Sequence, residues 1–263
     1  MSRNINLCFH DELNDFLPVH LRYLEFQHEL KNNRSVKDLI ESLGVPHTEV
    51  DLIIVNGESV DFEYGVQAGD NIELYPPLNQ AQLEKTSLAA MPASALKHCQ
   101  PEALSHPRFV ADVHLGRLAA YLRFLGFDTL YRNDYEDALL ADISADEQRI
   151  LFSCDRQLLM RKQVIYGYFV RARQPQQQLL EIISRFELHN RLKPFTRCMH
   201  CNGELQAVDK QTIEAQLPPK TGKYYNEFFQ CPQCKKIYWK GSHYLKLRAM
   251  INRIKNDTAE NTY

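Results

Sequence analysis

The sequence predicts an α/β protein built from three successive modules: a β-rich head, a middle of alternating strands and helices, and a small cysteine-held module at the end. Three observations carry this reading. Apolar runs broken by turn residues fill residues 1–78, in the manner of short strands. From Pro107 onward, strand-like and helix-like runs alternate, as in a sheet covered by helices. Two Cys-x-x-Cys pairs, Cys198/Cys201 and Cys231/Cys234, then bracket the last module.

In the head, Ile5, Leu7 and Phe9 alternate along a first strand, and His20 to Leu30 offers a second to pair with it. Ser35 followed by Asp38 resembles a helix start. Val36, Leu39, Ile40 and Leu43 form that helix's apolar stripe, and Gly44 stops it. Asp51-Leu-Ile-Ile-Val55 reads as a buried strand leading into an Asn56-Gly57 turn, and Asn71 to Tyr75 is a further strand closed by Pro76-Pro77. Strand, strand, helix, strand, strand in this span is the order of a ubiquitin-like β-grasp domain, assigned here to residues 1–78. Gln, Ala, Ser and Pro dominate residues 79–106, which read as a linker.

The middle starts with a strand at Arg108–Ala111. A helix follows, with Leu115, Leu118, Ala119, Leu122 and Leu125 on one face and Gly126 at its end. Strands at 127–131, 150–154 and 164–170 alternate with helices at 138–148, from Arg156, and at 176–186. Such alternation implies a mostly parallel sheet. Boundaries of 107–190 for this domain, 191–250 for the last module and 251–263 for a tail follow from these patterns.

The net charge of −2 hides a polarity. Residues 1–80 hold 5 Lys/Arg against 14 Asp/Glu, whereas residues 188–263 hold 13 Lys/Arg against 6 Asp/Glu. A basic end suits a polyanion such as RNA, and equally a solvated basic surface. There is no apolar signal core at the start and no long apolar stretch, so the expectation is a cytoplasmic protein with no membrane association. No phosphate-binding loop, nucleophile elbow or HExxH motif is present.

Two residues between the cysteines of a pair let both thiolates point at one ion, and two such pairs complete a tetrahedral sulfur site for structural zinc. The 29 residues between the pairs must fold as their own hairpin or loop. Disulfides or redox pairs are the alternative, disfavoured by a second matched pair without a secretory signal.

Asp112, Asp134 and Asp155 each stand just past the carboxyl end of an expected strand, the edge at which open α/β sheets bind ligands. Clustered carboxylates need a cation to stay ionised together. Magnesium or manganese suits their oxygens and can activate water for phosphodiester hydrolysis. Aspartate between a strand and a helix is also a favoured N-cap, and Asp134 with Asp137 resembles a capping box. Both roles stay open for each acid.

Several runs resemble one family in order. They are Phe109-Val-Ala-Asp112 through Gly116-Arg117-Leu-Ala119, Leu122-Arg123 through Gly126-Phe-Asp-Thr129, and Ile150-Leu-Phe-Ser-Cys154-Asp155-Arg156. Pro194-Phe195-Thr-Arg197-Cys198, Cys231-Pro-Gln-Cys234 and Tyr238-Trp239-Lys240-Gly241-Ser242-His243-Tyr244 continue the series. Together they resemble the Mut-seven C-terminal ribonuclease family, a PIN-like nuclease domain followed by a zinc ribbon. Val45 through Ser59 resembles the ubiquitin-like domain that is often fused N-terminal to it. The resemblance implies a metal-dependent ribonuclease with acids at Asp112, Asp134 and Asp155, and a further one at Asp137 or Glu136.

Arg117 and Arg156, near Asp112 and Asp155, are candidates to clamp a phosphate, while Arg123 lies on another helical face. In the ribbon, Lys235, Lys236, Lys240, His243 and Lys246 are interleaved with Tyr238, Trp239 and Tyr244, a pattern suited to phosphates and stacked bases. Packing the core of a small module is the other role for Tyr238 and Trp239. The head lacks a free terminal Gly-Gly, which disfavours sulfur transfer and leaves an interaction with a protein partner or an autoregulatory role as the expectation. The rival to a ribonuclease is a non-catalytic RNA-binding adaptor that keeps the acids as caps.

Overall fold

A computed structural model describes residues 4–242 together with Tyr244 and Leu245. In chain order the head holds β1 (Asn4–Phe9), β2 (Phe26–Glu29), α1 (Val36–Ser42), β3 (Leu52–Val55), β4 (Glu58–Val60) and β5 (Asn71–Tyr75). Then come α2 (Gln80–Leu83), β6 (Phe109–Ala111), α3 (Gly116–Phe124), β7 (Thr129–Leu130), α4 (Asp137–Asp146), β8 (Ile150–Ser153), α5 (Arg156–Leu159), β9 (Gly167–Phe169) and α6 (Pro175–Arg185). The last stretch holds β10 (Gln206–Val208), α7 (Lys210–Ile213), α8 (Pro219–Tyr224), β11 (Phe228–Gln230) and β12 (Ile237–Trp239). The chain divides into two compact units, one of residues 1–106 with 136–169, the other of residues 107–135 with 170–263.

In the first unit the head is a five-stranded sheet in the order β2-β1-β5-β3-β4. β1 is antiparallel to β2 and parallel to β5, and β3 is antiparallel to β4 and β5, which is the β-grasp arrangement. α1 lies over this sheet because Val36, Leu39 and Ile40 recur on one face and join the core of Ile5, Leu7, Ile53 and Leu74. The Ser35 hydroxyl accepts from Asp38 N at 3.1 Å and caps its start. The β3–β4 turn has positive φ at both Asn56 (52°) and Gly57 (87°), the two-residue geometry that Asn-Gly favours. The second strand is shorter than its apolar content implied. Only Phe26–Glu29 pairs with β1, and the chain before it forms 3-10 turns at Asp11–Phe16 and Val19–Leu21.

The stretch read as a linker is packed. β3 is buried on both faces: Ile53 and Val55 face the α1 side, and Leu52 and Ile54 face a second cluster with Tyr75, Leu88 and Leu96. Residues 79–106 supply that cover. Cys99 N donates to Asp51 O (2.7 Å), Gln100 N to Asp51 Oδ1 (3.0 Å), and Lys97 N to Ser59 Oγ (2.9 Å). An unbroken apolar strand needs an apolar layer on each side, and a Pro- and Ala-rich segment with two buried leucines is enough to make one.

The same unit contains α4, β8, α5 and β9, with β8 parallel to β9. In the second unit β6 runs parallel to β7, and α3 packs on α6. Gly126 ends α3 at φ 94°, where any Cβ would lie 2.3 Å from the Lys193 carbonyl oxygen. β10, β11 and β12 form an antiparallel three-stranded sheet in that order, and the interval between the cysteine pairs holds β10, α7, α8 and β11. No helix among the described residues is long and apolar enough to cross a membrane.

Candidate functional site

Each Cys-x-x-Cys pair folds as a tight knuckle. In the first, Cys198 N donates to Gly203 O (2.7 Å) and Asn202 N to Cys198 O (2.9 Å). In the second, Cys231 N donates to Lys236 O (3.0 Å) and Lys235 N to Cys231 O (2.9 Å). The residue after the second cysteine is left-handed in both, with φ 72° at Asn202 and 62° at Lys235. The turns bring all four sulfurs within 4.8 Å of one another. Sγ–Sγ distances are 3.5 Å for Cys198–Cys234 and 3.4 Å for Cys201–Cys231. These are far longer than a disulfide bond of about 2.05 Å. They approach the edge of about 3.8 Å expected for a tetrahedron with zinc–sulfur bonds of about 2.3 Å.

The local electrostatics also fit a cation. Burial pushes the Cys201 thiol up to about 12 and raises Cys234. Burial acts the same way on Cys198, but hydrogen bonds from the Tyr238 hydroxyl and from the backbone at Cys201 and His200 outweigh it and bring that thiol down to about 7. The Tyr238 oxygen lies 3.1 Å from Cys198 Sγ. A bound cation would draw the protons from the thiols that hold it.

Arg123, placed by the sequence on another helical face from the phosphate-clamp candidates, is 4% exposed and braces the first knuckle. Its Nη1 donates to the carbonyls of Met199 (3.2 Å) and His200 (2.8 Å), the two residues between the cysteines. Its Nε donates to Thr129 O (2.8 Å) and its Nη2 to Tyr131 O (3.4 Å). Asn202 adds a second tie. Its Oδ1 accepts from Thr129 N (3.0 Å), and its Nδ2 donates to Asp128 Oδ1 (2.7 Å). β7 and the knuckle are therefore held by side chains filling each other's backbone valences. The available signal was spacing: Arg123 falls four residues after buried Ala119, on the inward stripe of α3.

The ribbon's aromatics divide. Phe195 meets Phe229 (5.1 Å between centroids), Tyr244 (5.2 Å), Phe124 (6.3 Å) and Tyr238 (6.3 Å) in edge-on contacts. Half-buried Tyr238 thus packs on Phe195 and meets the Cys198 sulfur, and with half-buried Trp239 it lines an apolar recess of about 230 Å³ beside Met199 and Ile237. Lys240 is exposed and pairs with Glu227 at 2.8 Å. His243 and Lys246 lie outside the described residues.

Asp112 and Asp134 belong to the second unit, Asp137 and Asp155 to the first. Asp112 follows β6, is 4% exposed, and caps the next turn by accepting from His114 N at 2.7 Å. Asp155 follows β8, is exposed, and caps α5 by accepting from Gln157 N at 2.8 Å, while its own N–H donates to Ser153 Oγ at 2.8 Å. Asp134 is not a cap. Its two oxygens accept from Arg132 Nε (2.8 Å) and Nη2 (2.6 Å), and those hydrogen bonds hold its carboxyl below the usual range. The capping box expected of Asp134 and Asp137 does not form; Glu136 occupies the N-cap of α4 and Asp137 its first turn. Among the described residues, the cysteine quartet is the one group of three or more metal-ligating side chains that converges.

Arg117 is exposed in the first turn of α3. Arg156 is engaged elsewhere: its Nη1 donates to Phe16 O at 2.9 Å, and its guanidinium carbon lies 4.9 Å from the Phe16 ring centre.

Two family profiles match this chain. The Mut7-C RNAse domain covers residues 107–251, and the Mut7-C ubiquitin domain covers residues 2–83. No curated protein and no solved structure matches it.

Proposed function

Because the chain belongs to the Mut7-C RNAse domain family, with a Mut7-C ubiquitin domain preceding that domain, we propose that it is a metal-dependent ribonuclease acting on RNA phosphodiester bonds. The observation that carries this reading is Asp112. It stands at the carboxyl end of a parallel strand inside the matched region, and it is 4% exposed. The carboxyl ends of parallel strands are where an open α/β sheet presents groups to a ligand.

In this reading Asp112, Asp134 and Asp155 are the acids that would hold magnesium or manganese, whose hard character suits carboxylate oxygens. Such an ion supplies Lewis-acid stabilisation of the phosphate and a more acidic water. Asp112 and Asp155 use one oxygen each as a cap, which fixes the direction of the carboxylate. Asp134, paired with Arg132 in this structure, would have to leave that pair to serve as a ligand. Asp137 or Glu136, both exposed at the start of α4, would supply a fourth acid, and Arg117 would contact a phosphate of the substrate. The cysteine centre takes zinc in a structural role, and Lys240 with the ribbon's outer face meets the RNA backbone. The modules are taken as 1–78, 107–190 and 191–250, in a cytoplasmic protein whose seven cysteines form no disulfide with one another.

The test is cleavage of single-stranded and structured RNAs with magnesium or manganese, comparing the wild type with Asp112→Asn. Loss of cleavage with an unchanged circular dichroism spectrum is expected. Full activity in the variant would remove Asp112 from the site, and binding without cleavage in every metal would favour the adaptor.

A further inference from the structure

The head and the segment 136–169 lie in one compact unit, and the contact between them is built like a core. Phe16, 3% exposed in the head, meets Phe169 of β9 edge-on at 5.2 Å. Glu49, 2% exposed, accepts from Phe169 N through Oε1 at 2.7 Å. The His47 ring, itself held by Glu41 at 2.7 Å, meets Val164 O through Nε2 at 2.9 Å. Buried polar groups satisfied across a seam mark a permanent joint, because separation would give up every one of these bonds together.

Arg156 sits at that joint. It is the first residue of α5, directly after Asp155. Its guanidinium lies against the rings of Phe16 (4.9 Å) and Phe169 (5.8 Å) and donates to Phe16 O. α5 has four residues, too few to hold itself in place by its own hydrogen bonds. Its position is set by what its side chains grip: Leu158 and Leu159 inward, and Arg156 on the head. The N-cap Asp155 inherits its direction from that first turn.

We propose that the ubiquitin-like head positions Asp155 for metal binding, with Arg156 as the positioning residue and Phe16 as its anchor. This rests on the ribonuclease reading for what Asp155 does, and on the head–α5 contacts for how it is held. Arg156 is then a structural pin, not a phosphate clamp, and the head is an integral part of the nuclease.

Full-length Arg156→Met, Arg156→Lys, Phe16→Leu and the Phe16→Leu/Arg156→Met double variant test it. Leucine keeps apolar bulk in the head's core while removing the ring, and methionine keeps the arginine stem. Hydrogen exchange at Gln157, Leu158 and Leu159 should accelerate at least tenfold in Arg156→Met, with β1 and β5 of the head unchanged. On RNA, kcat should fall by up to about 100-fold, the order expected of a misplaced site, with KM within twofold. Phe16→Leu should act in the same direction, and the double variant should be no worse than Arg156→Met alone. Lysine should rescue little, since it lacks the fork that reaches the Phe16 carbonyl.

A rise in KM confined to Arg156→Met, with lysine restoring it, would make Arg156 a phosphate contact and overturn the proposal. Faster cleavage in Phe16→Leu would make the head an inhibitor and overturn it as well. If the wild type cleaves no RNA, the ribonuclease reading fails, and the exchange experiment still decides the joint: unchanged exchange in α5 of Arg156→Met would sink it.

Discussion

Arg123→Met isolates the brace beneath the first cysteine knuckle. The arginine makes hydrogen bonds of 2.8, 2.8 and 3.2 Å and a longer one of 3.4 Å, all to backbone carbonyls. Hydrogen bonds from a charged donor contribute about 1.5–3 kcal/mol each. The guanidinium's own desolvation, which lowers its proton affinity, offsets part of the sum. Methionine restores most of the stem's packing but none of the donors. The net loss expected is about 3 kcal/mol, typical of breaking a buried polar network. If half of this falls on the knuckle, zinc affinity drops about tenfold. Competition with a chromophoric chelator reads the affinity, and denaturant unfolding of the zinc-loaded full chain reads the stability. Arg123→Lys should recover only part of the loss, because one ammonium cannot span the carbonyls of Thr129, Met199 and His200. A stability change under about 0.5 kcal/mol with unaltered zinc affinity would refute the brace.

Three further outcomes follow from the same geometry. Tyr238→Phe removes the hydroxyl 3.1 Å from Cys198 Sγ and should weaken zinc binding by a few-fold, measured by the same competition, without disturbing the aromatic packing. Arg132→Gln releases Asp134 from an exposed, solvent-screened ion pair, so manganese affinity by titration should rise by a few-fold at most. No change would argue that Asp134 is not a ligand. Leu88→Ala uncovers the outer face of β3 and should cost about 2–3 kcal/mol in thermal or denaturant unfolding; a neutral result would mean the 79–106 segment is a loose tether.

Much of the architecture was legible because local chemistry dictated it. Asn56-Gly57 is a hairpin turn almost regardless of context, Ser35 with an apolar stripe starts a helix, and Gly126 ends one. The paired cysteines announced their own geometry, since two residues between thiolates leave one short turn to make. Where the reading fell short, the missing information was the identity of a distant neighbour. The 79–106 segment has no periodicity of its own, and its order comes from Leu52 and Ile54 needing cover. The unalternating run at 52–55 was the available hint of a second layer.

The arginines show the same limit. Arg117, Arg123 and Arg156 look alike in sequence, each beside an apolar helix face near a conspicuous acid or glycine. The structure leaves Arg117 in water, buries Arg123 under a knuckle and pins Arg156 on the head. Taken alone, the sequence determined most elements of the head and middle though not β4, the β-grasp class, the sulfur site and the strand-end placement of Asp112 and Asp155, because each depends on residues a few positions apart. Tertiary structure alone decided which cations are structural, what covers β3 and what holds α5. The arginine outcomes depend on hydrogen-bond valences left over by backbone more than 70 residues away, as between Arg123 and Met199 or between Arg156 and Phe16, the cover of β3 depends on apolar side chains of a segment without periodicity, and no local pattern of side chains records either.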